Sequence, residues 1–256
     1  MAISLKGVTK GFPSKESGQS VTVLESIDLD VPEGKVLALF GPNGCGKTTI
    51  LNIIAGIETV DSGSLSVSGR NAAAPVVGYA FQNFRDVLLP WDSALDNVSF
   101  GLRATGVDRA TARKRTSAFL DKYGFTFPRG NYPYQLSVGQ QQTVALTRTL
   151  IQEPANILLD EPFSALDNRA RFIMQDFVES LVRTHSTSVL FVSHDVDEAL
   201  YVSDEFIMLT GLPATVLKRF AVPFARPRRH DLLTNADFLN LRRDVVATFV
   251  QEVGRS

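Results

Sequence analysis

Residues 41–48 match the pattern G-x-x-x-x-G-K-S/T, a spacing of residue types that suits phosphate chemistry. Its glycines let the backbone wrap a polyphosphate with successive N–H groups pointing inward, and the helix that follows adds its partial positive charge. Lys47 can reach the β- and γ-phosphates, and the Thr48 hydroxyl can bind Mg²⁺. An apolar strand is expected at 36–40 and a helix from residue 47 to about residue 57. We therefore predict nucleotide binding rather than a simple glycine-rich turn.

The only cysteine of the chain, Cys45, lies inside this pattern. A single cysteine excludes an intramolecular disulfide framework and a cysteine-based zinc cage. We interpret Cys45 as a small side chain that the loop tolerates. The alternative, a redox role, lacks a second thiol to resolve it.

A second group of residues, at 157–162, combines an apolar strand with two acids at its end. Asp160 is placed to hold Mg²⁺, and Glu161 is placed to polarise an attacking water. The alternative is that both acids cap the next helix. The nucleotide-binding pattern, which follows another apolar strand more than a hundred residues earlier, favours the catalytic interpretation.

The elements that must position these residues follow from the hydrophobic pattern. Short strands are expected within the first 40 residues, with a polar loop at 13–20. Continuous apolar runs occur at 36–40, 157–159 and 188–192, each followed by a polar loop and a helix. This alternation predicts an α/β core with a parallel sheet.

The remaining segments differ in character from that core. Residues 92–150 carry helix-type apolar spacing punctuated by Gly106, Gly124 and Pro128, which predicts a helical insertion. The tail contains an arginine-rich stretch at 226–229 and then a helical pattern. By itself, the arginine-rich stretch is expected to be a solvated surface turn rather than a substrate contact.

The composition is that of a soluble globular protein, with 256 residues of which 44% are hydrophobic and 21% are charged. A net charge of -1 argues against a protein that works mainly by binding a nucleic-acid backbone, because such proteins usually carry an excess of basic residues. No apolar run approaches the roughly 18 residues required to span a bilayer, and residues 1–6 lack the layout of a signal peptide. Composition alone therefore predicts a soluble, intracellular protein with no nucleic-acid partner.

Taken together, these motifs resemble the ATP-binding subunits of ABC transporters, over residues 3 to about 210. Four further matches carry the resemblance: Gln82 with the Q-loop, residues 136–140 with the signature loop, residues 164–167 with the D-loop, and His194 with the switch histidine. The resemblance implies a P-loop NTPase (RecA-like) α/β core with an N-terminal antiparallel β subdomain and a helical insertion subdomain.

The resemblance also implies ATP and Mg²⁺ as cofactors and gives the site residues their roles. Catalysis is implied for Lys47, Glu161 and His194. The implied nucleotide contacts are Phe12 and Val23 beside adenine, then Gly41, Pro42, Asn43, Gly44, Cys45, Gly46, Lys47, Thr48, Thr49 and Gln82. The implied metal ligands are Thr48, Gln82 and Asp160. The residues implied to contact the nucleotide of a second copy, in a head-to-tail sandwich dimer, are Ser137, Gly139, Gln140 and Asp167.

The same resemblance implies a single ATPase domain. Its parts are a nucleotide-binding core with the β subdomain at 1–91 and 151–215, a helical subdomain at 92–150, and a C-terminal extension at 216–256. The implied partners are a second copy, transmembrane permease subunits and an extracytoplasmic solute-binding protein. The chain is thus expected at the cytoplasmic face of the inner membrane, as a peripheral subunit. Its docking surface is expected at 82–102, although the apolar residues there could equally fold into the subdomain core.

Stretches such as 88–91 and 96–102 resemble importers of nitrate, sulfonate, taurine and related small anions. We therefore predict an ATP-hydrolysing subunit that energises import of such an anion. Two residues depart from the family pattern: Val138, where Gly is usual, and Thr143, where Arg is usual. Val138 is expected to weaken, not abolish, docking of the partner's nucleotide. The alternatives are a non-transport ABC ATPase, a regulatory subunit with weak hydrolysis, and a small-molecule kinase.

Overall fold

A computed structural model of the chain describes residues 1–13, 19–69 and 76–253. They fall into two compact units, the first combining Met1–Ser68 with Ser188–Ser256 and the second formed by Gly69–Thr187. In chain order the elements are β1 (Ile3–Pro13), β2 (Ser20–Val31), β3 (Val36–Phe40), α1 (Lys47–Ile54), β4 (Ser62–Val67), β5 (Val77–Ala80), α2 (Phe84–Val87), α3 (Ala94–Arg103), α4 (Arg109–Tyr123), α5 (Val138–Leu150), β6 (Asn156–Asp160), α6 (Asn168–His185), β7 (Ser188–Val192), α7 (Val196–Val202), β8 (Glu205–Leu209), β9 (Val216–Ala221) and α8 (Ala236–Val253).

The first unit contains an antiparallel sheet in the order β2-β1-β4. The central strand β1 pairs Leu5 with Leu29 of β2 and with Leu65 of β4. Leu5 and Leu29 are fully buried. Residues paired directly across two strands lie on the same face of the sheet, so both side chains belong to its buried face. The antiparallel β subdomain is confirmed. Of the polar loop expected at 13–20, residues 14–18 lie outside the described residues.

The first unit also contains four strands in the order β7-β3-β8-β9. Strand β3 pairs in parallel with β7 and β8, and β9 runs antiparallel to β8. Every residue of β3 and β7 is buried, as expected for a continuous apolar run inside a parallel sheet. The predicted parallel pairing is confirmed, whereas the hydrophobic pattern did not predict β8 and β9.

The second unit combines the parallel pair β5 and β6 with helices α2–α6. Helices α3, α4 and α5 fall within the predicted helical stretch at 92–150. Their apolar sides form a core that includes the buried side chains of Leu88, Val98, Leu136 and Val144. The compact unit is longer than the helical stretch, since it also contains β5, β6 and α6.

Side chains cap the N-termini of most of the longer helices, which satisfies backbone N–H groups that have no partner inside a helix. The capping residues of α3, α4, α5, α6 and α8 are Ser93, Asp108, Ser137, Asp167 and Asn235. Among the described helices of eight or more residues, α1 is the exception. It follows Gly46, which has no side chain to cap it, and its first turn carries no acid. An anion suits this N-terminus for that reason.

Candidate nucleotide-binding and catalytic site

The phosphate-loop pattern at 41–48 joins β3 to α1 and depends on its glycines for conformation. Gly44 and Gly46 have φ values of 75° and 106°, in the left-handed region that favours glycine. A Cβ atom on Gly46 would also lie 2.7 Å from Cδ2 of Leu24 and 2.9 Å from Cγ1 of Val23. Glycine is therefore required at this position by both backbone conformation and packing. The same contact places Val23, predicted beside adenine, against the loop.

Lys47 opens α1 and is buried. Its Nζ donates hydrogen bonds to the carbonyl oxygens of Gly41 and Pro42, each at 2.8 Å. The ammonium thus lies over the loop, next to the uncapped N-terminus of α1. Both features concentrate positive charge and N–H donors at one place, which fits a polyphosphate.

Cys45 is buried inside the same loop. Burial raises the pKa of its thiol, and the opposing positive charge of Lys47 does not reverse this. A protonated, buried thiol is a poor nucleophile. These observations favour the interpretation of Cys45 as a packing residue.

Phe12, the other residue predicted beside adenine, lies near the end of β1, paired with Val21 of β2. The Lys10 ammonium lies 5.2 Å from the centroid of the Phe12 ring, within the range of a cation–π contact. Lys10 is fixed by ion pairs to Asp61 at 3.3 Å and Glu58 at 3.8 Å. The ring is half-buried.

His194 is exposed in the loop between β7 and α7, where the sequence placed it. The residues on either side of it are fixed. Ser193 donates from Oγ to Oε2 of Glu198 at 3.0 Å. Asp195 caps α7 by accepting from the backbone N–H groups of Asp197 and Glu198 at 2.8 and 3.1 Å. A well-defined loop thus presents the imidazole.

The two acids at the end of β6 differ in environment. Asp160 is buried as the last residue of the strand, whereas Glu161 begins the turn that follows. Glu161 has a φ of 49°, a left-handed conformation that is rare for a side chain of this size and typical of functional sites. The alternative that these acids cap the next helix is wrong, because Asp167 caps α6 by accepting from Ala170 N at 2.8 Å.

The signature residues form the start of α5. Ser137 Oγ accepts from the Gln140 backbone N–H at 3.3 Å, and Gln140 Oε1 accepts from the Ser137 N–H at 3.0 Å, so the predicted cap is present. A Cβ atom on Gly139 would lie 2.9 Å from the carbonyl oxygen of Ala165. The close backbone approach that this glycine allows is therefore to the D-loop of the same chain. Val138 exposes 43% of its surface beside it.

Gln142 is a functional candidate that the sequence did not reveal. Its side chain is 2% exposed and bridges α5 to the segment after Asp160. Its Oε1 accepts from Ala165 N at 2.8 Å, and its Nε2 donates to Glu161 O at 3.3 Å and to Ser164 Oγ at 3.4 Å. Helical spacing could not have singled it out among three successive glutamines, since Gln140 and Gln141 also lie four and three residues before the buried Val144.

A cavity of about 480 Å³ opens in the second unit beside the signature loop. Its lining includes Ser137, Gly139, Thr143, Asp167 and Arg169. The Thr143 hydroxyl donates to the Gly139 carbonyl at 2.9 Å, turned back onto its own helix. Because Thr143 is shorter than the arginine that is usual in the family, its side chain leaves room in the cavity.

The predicted docking surface at 82–102 is divided between two environments. Leu88 is buried in the core of the second unit, as the alternative interpretation required. Trp91 exposes 71% of its surface, as the docking interpretation required, and Phe81, which directly precedes the predicted range, is also exposed. Within the part of the chain that the structure describes, no helix combines the length and the apolarity needed to cross a membrane.

The arginine-rich stretch at 226–229 corrects an expectation. A solvated surface turn was expected, but of its three arginines only Arg229 fits, with 84% of its side chain exposed. The side chains of Arg226 and Arg228 are 12% and 1% exposed and make hydrogen bonds within the first unit. Sequence alone could not separate them, because their burial depends on partners at residues 200–204, at and just after the end of α7.

The structure groups the predicted site residues by unit. The first unit carries those of the phosphate loop, the two adenine candidates and the switch histidine: Gly41, Pro42, Asn43, Gly44, Cys45, Gly46, Lys47, Thr48, Thr49, Phe12, Val23 and His194. The second unit carries Gln82, Ser137, Gly139, Gln140, Asp160, Glu161 and Asp167. In each unit the structure brings several of them into contact, as described above.

Comparison with known proteins agrees with the family that the motifs indicate. The model of the ABC transporter family matches residues 24–164. The taurine import ATP-binding protein TauB of Chromobacterium violaceum is 37% identical over 235 residues, covering 90% of each chain. The aliphatic sulfonates import ATP-binding protein SsuB of Bacillus subtilis is 34% identical over 251 residues, covering 97% of this chain and 94% of the relative. A dimeric structure of an ATP-binding cassette in a post-hydrolysis state, bound to ADP and Pi, has a TM-score of 0.76 and 27% identity, covering 87% of this chain and 100% of that one.

The fold and the site define a P-loop ATPase. The chain belongs to the ABC transporter family, and the resemblance inferred from its motifs is confirmed. It is an ATP-binding ATPase of that family, with the mixed α/β fold and antiparallel β subdomain that the sequence predicted.

Proposed function

We propose that this chain is the ATP-hydrolysing subunit that energises import of a small anion, such as taurine, another sulfonate or nitrate, through separate membrane subunits. One observation carries the proposal. A complete set of nucleotide motifs occurs in a chain that is 37% and 34% identical, over most of its length, to relatives named for taurine and sulfonate import.

The phosphates of ATP are assigned to residues 41–49, and its adenine to Phe12 and Val23. The supporting features are the uncapped N-terminus of α1 and the ammonium of Lys47, which now contacts carbonyls of its own loop. On binding, Lys47 exchanges these carbonyl partners for phosphate oxygens, and the N–H groups at the start of α1 donate to phosphate oxygens as well.

Mg²⁺ bound with ATP supplies positive charge that neutralises the charge developing on the phosphates. Thr48, Gln82 and Asp160 are the protein ligands that we assign to it. Their hydroxyl, amide and carboxylate oxygens are the hard donors that this ion prefers. Asp160 has the fixed position that such a ligand requires, since it is buried at the end of β6.

Glu161 is assigned as the general base that polarises the attacking water, and His194 as a donor to the γ-phosphate. The left-handed backbone of Glu161 and the hydrogen bond from Gln142 to its carbonyl oxygen fix the base of its side chain. Positioning of this kind is a major part of phosphoryl-transfer catalysis.

A second copy of the chain completes the site in this proposal. Ser137, Gly139, Gln140 and Asp167 contact the partner's ATP, and the cavity of about 480 Å³ beside them supplies the space. The start of α5 also directs its partial positive charge towards a phosphate. The relevant similarity is to an ATP-binding cassette whose structure is dimeric.

The membrane subunits dock on the exposed part of 82–102, with Trp91 as an apolar contact and Phe81, which directly precedes this range, as another. The chain would then lie peripherally at the cytoplasmic face of the inner membrane. An extracytoplasmic solute-binding protein would deliver the anion. Selectivity for the solute would reside in these partners, since an ATPase subunit has no contact with it.

The test is to co-purify the chain with its native membrane subunits and to measure solute-stimulated ATP hydrolysis in lipid vesicles. Taurine, an alkanesulfonate and nitrate are compared with an amino acid and a sugar. We expect stimulation by at least one anion, and none when Lys47→Ala replaces the natural chain. Stimulation by the sugar or the amino acid alone would contradict the assigned solute class.

A further inference from the structure

Two buried arginines of the C-terminal extension, Arg226 and Arg228, donate hydrogen bonds to the end of α7. We call this pair the arginine clamp. We propose that the arginine clamp holds α7, and through it His194, in the geometry needed for ATP hydrolysis. Both arginines are positioning residues in this proposal, since neither contacts the nucleotide. The inference rests on the role proposed above for His194.

Arg228 satisfies the C-terminal carbonyl groups of α7. Its Nη1 donates to the carbonyl oxygen of Tyr201 at 2.7 Å, to that of Leu200 at 3.3 Å, and to that of Ser203. The last carbonyl groups of a helix have no partner inside it and carry partial negative charge. A guanidinium with 1% of its side chain exposed meets both needs, so it fixes where the helix ends.

Arg226 connects the same helix end to the strand that leads into the phosphate loop. It donates to Val202 O at 2.7 Å and to both carboxylate oxygens of Asp204, at 3.2 and 3.0 Å. Asp204 Oδ2 also accepts from the backbone N–H of Val36, the first residue of β3, at 2.9 Å. The clamp therefore fixes the position of the end of α7 relative to the start of β3.

The other end of α7 is joined to His194 just as tightly. Asp195 caps the helix, and Ser193 is bonded to Glu198 in its first turn. A helix of seven residues is about 10 Å long and behaves as a short rod. A shift at the clamped end is thus transmitted to the loop that presents His194, because both neighbours of that residue are bonded to the rod.

Matched substitutions separate this role from a general effect on stability. Arg228→Ala removes one of the two arginines of the clamp, whereas Arg229→Ala removes an exposed arginine from the next position and serves as the control. We expect kcat to fall about tenfold to a hundredfold in Arg228→Ala, since sub-ångström misplacement of catalytic groups has effects of this size. The KM for ATP should change little, because the phosphate loop is untouched. Should Arg228→Ala fail to fold, Arg228→Lys keeps the charge, loses the forked geometry and replaces it in every measurement.

A double-substitution cycle with His194→Ala shows whether the clamp acts through the histidine. Single-turnover hydrolysis is measured for each single variant and for the pair. If the clamp acts through His194, Arg228→Ala has no further effect once His194 is gone. If Arg228→Ala lowered the rate equally in the natural chain and in the His194→Ala chain, the proposed role of the clamp would be overturned and the proposed function would stay intact. A His194→Ala chain with unaltered kcat would instead overturn the catalytic role of His194.

The imidazole NMR signal of His194 gives a readout that does not depend on rate. The chain has three histidines, so His194→Ala assigns the signal. We expect the His194 signal to move in Arg228→Ala and to stay in place in Arg229→Ala. A signal that is identical in the natural chain and in Arg228→Ala would overturn the inference even if stability falls.

Discussion

Gly139→Ala is a test of how closely the signature helix approaches the D-loop. The added Cβ atom would lie 2.9 Å from the carbonyl oxygen of Ala165, whereas an ordinary contact begins at 3.4 Å. The obstacle is a backbone atom, which cannot rotate away as a long side chain could. The start of α5 and the D-loop must therefore separate by about 0.5 Å.

Two opposing contributions set the effect on stability. Replacing glycine by alanine inside a helix stabilises it by about 1 kcal/mol at most, and less near an N-terminus. Overpacking a tight contact costs about 1–3 kcal/mol. We expect the clash to dominate, with a net loss of about 1 kcal/mol and a melting temperature lower by about 2–4 °C. A shift of about 0.5 Å between groups that contact the partner's nucleotide should lower kcat about tenfold.

The assay combines thermal unfolding with steady-state ATP hydrolysis at saturating ATP. Gly130→Ala is the matched control, because a Cβ atom there has no neighbour within 4 Å and the residue lies in the same unit. We expect the control to match the natural chain in both measurements. A Gly139→Ala chain that melts no lower than the natural one and keeps its kcat would refute the reasoning, since the helix start would then move freely.

Three further outcomes are expected. Glu161→Gln should accumulate an ATP-bound dimer during gel filtration with ATP, because the shape is kept and the base is lost; undiminished turnover would remove Glu161 from the catalytic role. Val138→Gly should leave ATPase activity equal or higher, because an exposed branched side chain leaves the helix start; a large loss would show that Val138 is an adaptation. Although burial opposes ionisation, the hydrogen bond and charge of Arg226 hold the pKa of Asp204 below its usual value. Its stabilising contribution is thus present above about pH 4, the pKa in the unfolded chain, and is lost as the pH falls towards the lowered folded value. Asp204→Asn should flatten that part of a denaturant-stability profile against pH, and an unchanged slope would contradict the assignment.

The nucleotide loop was predictable because its determinants are local. Its glycines need left-handed backbone angles, and the apolar strand before it and the helix after it follow from nearby residues. The cap at Ser137 is equally local, since donor and acceptor lie three residues apart. Such features survive in any fold that places a helix there.

Other features could not be predicted, because they depend on residues far apart in the chain. Gln142 meets Ala165 across 23 positions, so nothing in the row of three glutamines marks the buried one directly. Leu88 and Trp91 are both apolar and close in sequence, yet one is buried in the helical core and the other is exposed. Apolar character gives the tendency to be buried, and packing decides which residue is.

The sequence by itself therefore determined the family, the α/β fold and the chemistry of the phosphate loop, since these depend on motifs whose parts are neighbours. The tertiary structure decided the role of the C-terminal arginines. Arg228 and Arg229 are adjacent and chemically identical, but Arg228 bonds to carbonyl groups up to 28 residues away whereas Arg229 is exposed. The physical reason is that a charged side chain can be buried only where other parts of the chain supply its hydrogen-bond partners, and only the folded chain brings those parts together.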